Sequence, residues 1–275
     1  MKIEAHKLSG LGNIILIVDL VRQQGHIGKD EIIKIASERN GDFDQLITIE
    51  PPKETTVDLR AKIFNVDGSE AMNCINGARC VAKYVLESRL LPKKKFSVST
   101  LGGTWYLEEK LKGEFEVQMA PPNFIKGREN FPEVGPNKSI PLAVNGIAIE
   151  FFFVNLGNPH AVCLVDDIND YPLSEIGEAL QTHNFFPDGV NLGFAKINSR
   201  KSLDLRVFER GVGETLACGS GACAAAVIGN NAGLLDSEVL VKFQEGSLNI
   251  NYEKHSGKLV ASGSADYLSK LSLEI

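Results

Sequence analysis

A cysteine-headed stretch occurs twice in this chain, and the repeat constrains the fold more than any other feature. The first copy is Cys74-Ile75-Asn76-Gly77-Ala78-Arg79-Cys80 and the second is Cys218-Gly219-Ser220-Gly221-Ala222-Cys223. Placing Cys74 on Cys218, 144 residues later, also superposes Glu70 on Glu214, Gly77 on Gly221 and Ala78 on Ala222. The chain therefore contains an internal duplication. In each copy the cysteine precedes small or capping residues and then a helix-compatible apolar run, residues 78–91 and 222–235. The spacing predicts that each sulfur sits at a helix N-terminus, where unpaired N–H groups and the helix dipole favour a thiolate and a bound anion. The same amides suit a substrate carboxylate.

A length of 275 residues exceeds the usual single domain, and with the duplication it predicts two domains of about 130 to 140 residues each. Hydrophobic residues at 43% and charged residues at 23% suffice to bury two cores. The net charge of −6 argues against a nucleic-acid or anionic-membrane surface. Lys93-Lys94-Lys95, the only local basic run, reads as a solvated turn after Pro92. The opening residues Met1-Lys2-Ile3-Glu4-Ala5-His6 lack the apolar region of a signal peptide, and no apolar segment reaches membrane-spanning length. A cytoplasmic protein is expected, whose five cysteines are free thiols rather than a disulfide framework. No CxxC pair occurs and the histidines are scattered, so no metal site is expected. Gly10-Leu11-Gly12 lacks the third glycine and the strand-to-helix setting of a dinucleotide motif.

Along the chain, a polar loop at residues 9–13 precedes a β-branched strand at 14–18, and Asp30 caps a helix reaching Arg39. Strands follow at residues 44–49 and 56–66, then the first cysteine helix, then short antiparallel strands at 96–100, 104–108 and 115–119. Ala120-Pro121-Pro122 marks a domain boundary. The second half repeats the order: a strand at 147–154, the loop Asn155-Leu156-Gly157-Asn158-Pro159-His160, a helix at 174–183, and a strand carrying Val190-Asn191-Leu192. A strand at 203–208 then delivers Glu209-Arg210 to the second cysteine stretch. Strands outnumber helices and rarely alternate with them singly, which predicts α+β domains with largely antiparallel sheets. The Ala-rich second cysteine helix has little polar surface, as a helix enclosed by sheet would.

Two domains related by a pseudo-twofold axis would bring Cys74 and Cys218 to opposite sides of one cleft. Opposed acid/base groups suit removal of a proton from one face of a carbon and delivery to the other, which is racemisation or epimerisation. That chemistry needs no cofactor. Asn13, Asn65, Asn158 and Asn191 offer amides at strand ends or turns, Arg210 can fork onto a carboxylate, and Glu209 can pair with an ammonium. His160 either orients a neighbour or is a satisfied structural histidine, and Cys80, Cys163 and Cys223 read as inert core.

Together these motifs resemble the diaminopimelate epimerase family. The resemblance runs nearly end to end, through Gly10-Leu11-Gly12-Asn13, Phe64-Asn65-Val66-Asp67-Gly68-Ser69-Glu70-Ala71, both cysteine stretches, Gly157-Asn158-Pro159-His160, Val190-Asn191 and Glu209-Arg210-Gly211-Val212-Gly213-Glu214-Thr215. It implies two pseudo-symmetric domains, each a β-barrel-like sheet wrapped around a central helix, at residues 1–119 with 264–275 and at 120–263. It implies that Cys74 and Cys218 are the paired acid and base. Asn13, Gln45, Asn65, Asn158, Asn191, Glu209 and Arg210 would hold the substrate, and amides at Asn76-Gly77 and Gly219-Ser220 its reacting carboxylate. The implied reaction interconverts LL-2,6-diaminopimelate and its meso form without a cofactor, on a small-molecule amino acid, and a homodimer is a possible assembly. The chain departs from the family pattern at Ser9, Ile14, Met72-Asn73 and Ile75, the last at a place where glycine is usual and where its side chain would narrow the cleft. Two alternatives stay open: a racemase of another amino acid, or an inactive paralogue that binds one.

Overall fold

The computed structural model describes residues 1–111, 113–124 and 135–275. The chain is α+β and divides into two compact units, one formed by Met1–Met119 with Ser262–Ile275 and the other by Ala120–Ala261.

The first unit opens with β1 (Lys2–Gly10) and β2 (Asn13–Asp19), an antiparallel hairpin. Gly10 lies opposite Asn13, so the expected polar loop reduces to a two-residue turn, Leu11-Gly12, with φ of 55° and 78°. Two successive positive φ values match the right-handed twist of the flanking strands, which is why such turns close hairpins tightly. The helix α1 (Lys29–Glu38) follows. Its cap is Gly28 rather than Asp30: the Gly28 N–H donates to Glu31 Oε2 at 2.9 Å, and Asp30 falls in the first turn, where its charge suits the dipole. Beyond it β3 (Gln45–Glu50) pairs parallel with β2, a connection that needs a crossover and so explains the helix. Next come β4 (Leu59–Asn65), antiparallel to β3, and the short β5 (Glu70–Ala71). A second crossover, α2 (Ile75–Glu87), leads to β6 (Lys95–Thr100), parallel to β4, and the antiparallel β7 (Gly103–Leu111) and β8 (Glu114–Met119) complete the run.

The second unit repeats this plan. The hairpin β9 (Ile140–Val144) and β10 (Ile147–Asn155) precedes β11 (Pro159–Leu164), whose first residue Pro159 begins a strand where a loop was expected. The helix α3 (Leu173–Gln181) crosses to β12 (Asn191–Ser199), parallel to β11. Then β13 (Ser202–Glu209), β14 (Gly213–Thr215) and α4 (Gly219–Asn231) lead to β15 (Glu238–Phe243), parallel to β13. After β16 (Gly246–Glu253), β17 (Lys258–Ser264) carries the chain back into the first unit, where β18 (Asp266–Glu274) pairs antiparallel with β1.

Within the first unit α2 lies against β1, β2, β7, β8 and β18. Those strands come from both ends of the strand run, so the sheet wraps around the helix. In the second, α4 lies against β10, β11, β12, β13, β15 and β16, and every residue from Gly219 to Gly229 is buried. Its alanines and glycines are therefore core residues, small enough to let sheet close on all sides. On the outside, Ile32 and Ile35 of α1 seal a layer with Leu16, Val18, Leu46 and Phe64. Leu173, Ile176 and Leu180 of α3 do the same with Phe151, Phe194 and Phe208.

Both central helices stop short of the apolar runs that suggested them. Arg89 (φ 53°) and Gly233 (φ 75°), again 144 residues apart, adopt left-handed backbone just past the helix ends. The N–H groups of Leu90 and Leu234 then return to Val85 O and Gly229 O at 2.9 and 3.0 Å, which satisfies carbonyls the helix leaves over. Among the described residues no helix is long and apolar enough to cross a membrane.

Candidate active site

The duplicated cysteines occupy the same local position. Cys74 is the N-cap of α2, with extended backbone (φ −150°, ψ 100°), and its Sγ accepts the Gly77 N–H at 3.1 Å. Cys218 caps α4 in the same way (φ −122°, ψ 113°), with Gly221 N–H donating to its Sγ at 3.3 Å. Sulfur thus does what a serine or aspartate oxygen does at an ordinary N-cap. Space at the donor position is tight: a Cβ on Gly77 would meet Ile47 Cδ1 at 2.5 Å and Cys74 Sγ at 3.2 Å, and one on Gly221 would meet Val207 Cγ1 at 3.0 Å.

In the first half-site Cys74 is half-buried. Asn13, the first residue of β2, has its Oδ1 3.8 Å from the sulfur, and its Nδ2 donates to Asp44 Oδ2 at 3.2 Å. Gln45 and Asn65 face one another across β3 and β4. Gln45 Nε2 donates to Asn65 Oδ1 at 2.9 Å, and Asn65 Nδ2 to Ser69 Oγ at 3.0 Å. Gln45 Oε1 is buried and accepts no hydrogen bond from the described residues. Asn76 is held from below by Arg79, whose wholly buried guanidinium donates to Asn76 Oδ1 at 2.9 Å, Ile75 O at 3.2 Å and Ser264 O at 3.1 Å. Ile75, expected to crowd the reacting carbon, is 2% exposed.

In the second half-site Cys218 is 4% exposed. Burial, and after it the charge of Glu209, push its thiol well above the usual range, against the opposing pull of Ser220 and the Gly221 amide. Ser220 Oγ lies 3.4 Å from the sulfur and receives Asn158 Nδ2 at 3.4 Å, while Asn158 Oδ1 pairs with His160 Nε2 at 3.1 Å. His160 is buried; desolvation, helped by the nearby charge of Arg210, lowers its pKa to about 3, so the ring is neutral at physiological pH. Asn191 opens β12 with both amide ends engaged, Nδ2 on Pro159 O at 3.0 Å and Oδ1 on the Arg210 N–H at 2.9 Å. Among the described residues, one hydrogen and one lone pair remain to it. Arg210 Nη1 donates to Asp188 O at 3.1 Å, and Glu209 Oε1 accepts from Thr215 Oγ1 at 2.6 Å.

In the first unit Asn13 and Gly77 contact the Cys74 sulfur, Asn76 lies in the first turn of its helix, and Gln45 pairs with Asn65. In the second, Ser220 and Glu209 act on Cys218, Gly219 begins its helix, Asn158 meets Ser220 and His160, and Asn191 holds the Arg210 N–H. Under the 144-residue offset the counterpart of Gly219-Ser220 is Ile75-Asn76, one step earlier than the amides expected in the first copy, and Gly77 N–H is spent on sulfur. The other cysteines are buried thiols, with desolvation driving Cys80 up to about 12 and Cys163 well above its ordinary value. Sequence reasoning missed Asp44 and Thr215, which act on site residues across strands, and Arg79, which reaches Asn76 within its own helix. The one visible signal was a lone arginine in the apolar face of the first cysteine helix.

A family model described as diaminopimelate epimerase matches residues 5–125 and 152–268. The diaminopimelate epimerase of Pseudomonas syringae pv. tomato is 42% identical over 260 residues, covering 94% of each chain. That of Coxiella burnetii is 39% identical over 254 residues, covering 92% of each. Among solved structures, a probable proline racemase from Agrobacterium radiobacter superposes with a TM-score of 0.72 at 14% identity, covering 99% of this chain and 93% of that one. A phenazine biosynthesis protein of the PhzF family from Enterococcus faecalis does so at 0.69, also at 14% identity, with full coverage of both. At such identities the structural matches speak for the fold alone.

Proposed function

The chain belongs to the diaminopimelate epimerase family, and on that premise we propose that it interconverts LL-2,6-diaminopimelate and meso-diaminopimelate, a precursor step for lysine and peptidoglycan. The observation that carries the reading is the matched pair of cysteines, each capping a helix through its own sulfur. One cysteine, as thiolate, takes the α-proton, and the thiol of the other delivers a proton to the opposite face of the same carbon. One S–H bond forms and one breaks, and in the reverse direction the roles exchange. Burial and Glu209 keep Cys218 protonated, which suits it to donate.

Amides at Asn76, Gly219 and Ser220 are the proposed ligands of the reacting carboxylate, where helix N-termini stabilise negative charge as the α-carbon loses its proton, while the Gly77 N–H stays on the Cys74 sulfur. Asn13, Gln45, Asn65, Asn158, Asn191, Glu209 and Arg210 are the proposed holders of the rest of the substrate, with His160 supporting Asn158. The buried Gln45 Oε1, which has no partner among the described residues, supports this, because an ammonium N–H would satisfy it. In this reading the enzyme works in the cytoplasm, with a homodimer as a possible assembly; a reducing compartment suits a mechanism that requires both sulfurs unoxidised.

The test is incubation of the reduced protein with LL-diaminopimelate followed by chiral chromatography. Appearance of the meso isomer is the expected result. A folded, reduced sample that leaves the LL isomer untouched, yet racemises another amino acid, would replace the substrate and keep the chemistry.

A further inference from the structure

We propose that Asp44 is a positioning residue, which turns the Asn13 amide so that its oxygen, and not its nitrogen, faces the Cys74 sulfur. The proposal rests on the reading of Cys74 as half of the acid/base pair, but its first test needs no substrate.

Asp44 immediately precedes β3 and is bracketed to the start of β2. Its own N–H donates to Ile14 O at 2.8 Å, and its Oδ2 accepts the Ile14 N–H at 2.6 Å and Asn13 Nδ2 at 3.2 Å. A carboxylate only accepts hydrogen bonds, so the amide end facing it must be the NH₂. The amide oxygen is then left on the side of Cys74, 3.8 Å from Sγ, where it can take the S–H. An acceptor beside a sulfur favours the thiol, whereas a donor favours the thiolate. The Gly77 N–H already donates to the Cys74 sulfur. Turning Asn13 over would add another donor.

Ionisable groups on the elements around Cys74 include Arg79, Cys80, Lys83, Tyr84 and Glu87 of α2, Glu70 of β5, Asp44 ahead of β3 and Asp266 at the head of β18; Lys83 pairs with Glu87, and Tyr84 donates to Asp19. Arg79 is tied to Asn76, Ile75 and Ser264, and Cys80 is wholly buried. Asp44 contacts Asn13, whose amide oxygen in turn contacts the sulfur. The second half-site is built otherwise: Asn158, which matches Asn13 in the repeat, meets His160 and Ser220 in place of a carboxylate.

The experiment measures alkylation of Cys74 by iodoacetamide at pH 7, quantified on the peptide that carries it, in the full-length protein and in Asp44→Ala, Asp44→Asn, Asn13→Ala and the Asp44→Ala/Asn13→Ala double variant. Asp44→Ala frees the amide to turn its NH₂ toward sulfur and should speed alkylation about fivefold, the size of one ordinary net hydrogen bond. Asp44→Asn, which can still present an oxygen to Asn13 and Ile14, should stay within about twofold of the parent, and Asp44→Ala should have no further effect once Asn13 is alanine. With LL-diaminopimelate the Asp44→Ala variant should lose kcat more than it changes KM. An unchanged alkylation rate in Asp44→Ala with native circular dichroism would overturn the proposal. So would an Asp44→Asn as fast as Asp44→Ala, or an effect that persists without Asn13, since either would show that charge and not orientation acts. Asp44→Leu, of similar shape and without an acceptor, serves if the alanine variant does not fold. Failure of the substrate reading would silence the turnover assay in every variant, the parent included, and leave the alkylation series to decide.

Discussion

The two cysteine-headed helices share a backbone and differ in what surrounds it. Both begin with an extended N-cap cysteine whose sulfur takes the N–H of a glycine three residues on, and both end on a left-handed residue at the same offset. Around Cys74 the side chains are neutral amides above a buried arginine, and the sulfur is half-buried. Around Cys218 the arginine's place is taken by Cys223, Asn65 is replaced by Glu209, and the sulfur is buried. Repeated glycine and backbone geometry therefore set where each sulfur stands. The diverged neighbours set how readily it ionises, which is how a duplicated site can serve as acid on one side and base on the other.

The comparison can be broken first at its foundation. Cys74→Ala and Cys218→Ala should each reduce epimerisation by at least about 10³-fold, as expected for loss of a positioned acid or base, measured by chiral chromatography. Substantial activity in either variant would mean that the halves do not act as a pair. A second contrast lies in reactivity: at pH 7 iodoacetamide should modify Cys74 at least about tenfold faster than Cys218, because burial and Glu209 hold the latter protonated. Peptide mass spectrometry reads both sites in one sample, and equal rates would erase the asymmetry.

Acid stability separates the halves as well. His160 and Ile15 occupy matching places, each in the strand that runs parallel to the next, opposite Asn191 and Gln45 respectively. The folded-state pKa of His160, about 3, lies below its unfolded value of about 6.5. The unfolded chain therefore binds more protons in that window. His160 should cost stability as pH falls from about 6.5 toward 3, by up to about 1.4 kcal/mol per pH unit, and the loss is complete only below the folded pKa. Urea unfolding of the parent and His160→Gln at several pH values checks this: the parent curve should be steeper, and Ile15 has nothing to titrate. The smallest effect is expected of Glu209→Gln, which removes the charge next to Cys218 and should raise its alkylation rate several-fold, about the effect of one partly screened charge. No change would leave burial as the only cause.

Much of this was legible in the sequence because the duplication repeats chemistry as well as spacing. Cys74 and Cys218 as helix caps, the enclosed Ala-rich α4, and the asparagines at strand ends follow from local residues alone. The parallel pairings of β2 with β3 and of β11 with β12 were hidden, since alternation along a strand marks its buried face and not its partner or direction. Asp30 looked like a cap because acidic residues suit both the cap and the first turn, and the structure assigns the cap to Gly28. Leu11-Gly12 looked like loop because a turn with positive φ at a leucine carries no strong sequence signature. Asp44 and Thr215 were missed for another reason. Each acts on a site residue several positions away, Asp44 on Asn13 and Thr215 on Glu209, so its role exists only once the sheet has formed.

The measurement that tests the two-thiol account most directly follows isotope during the first turnovers in D₂O. Reduced protein is given LL-diaminopimelate, and substrate and product are separated and analysed for deuterium at the α-carbons. The account predicts meso product carrying deuterium at the inverted carbon while recovered LL substrate keeps its proton, since one sulfur takes the proton and the other supplies a solvent-equilibrated one. Deuterium entering the LL substrate ahead of meso formation would point to a single base, and that result, or no exchange at all from folded and reduced protein, would contradict it.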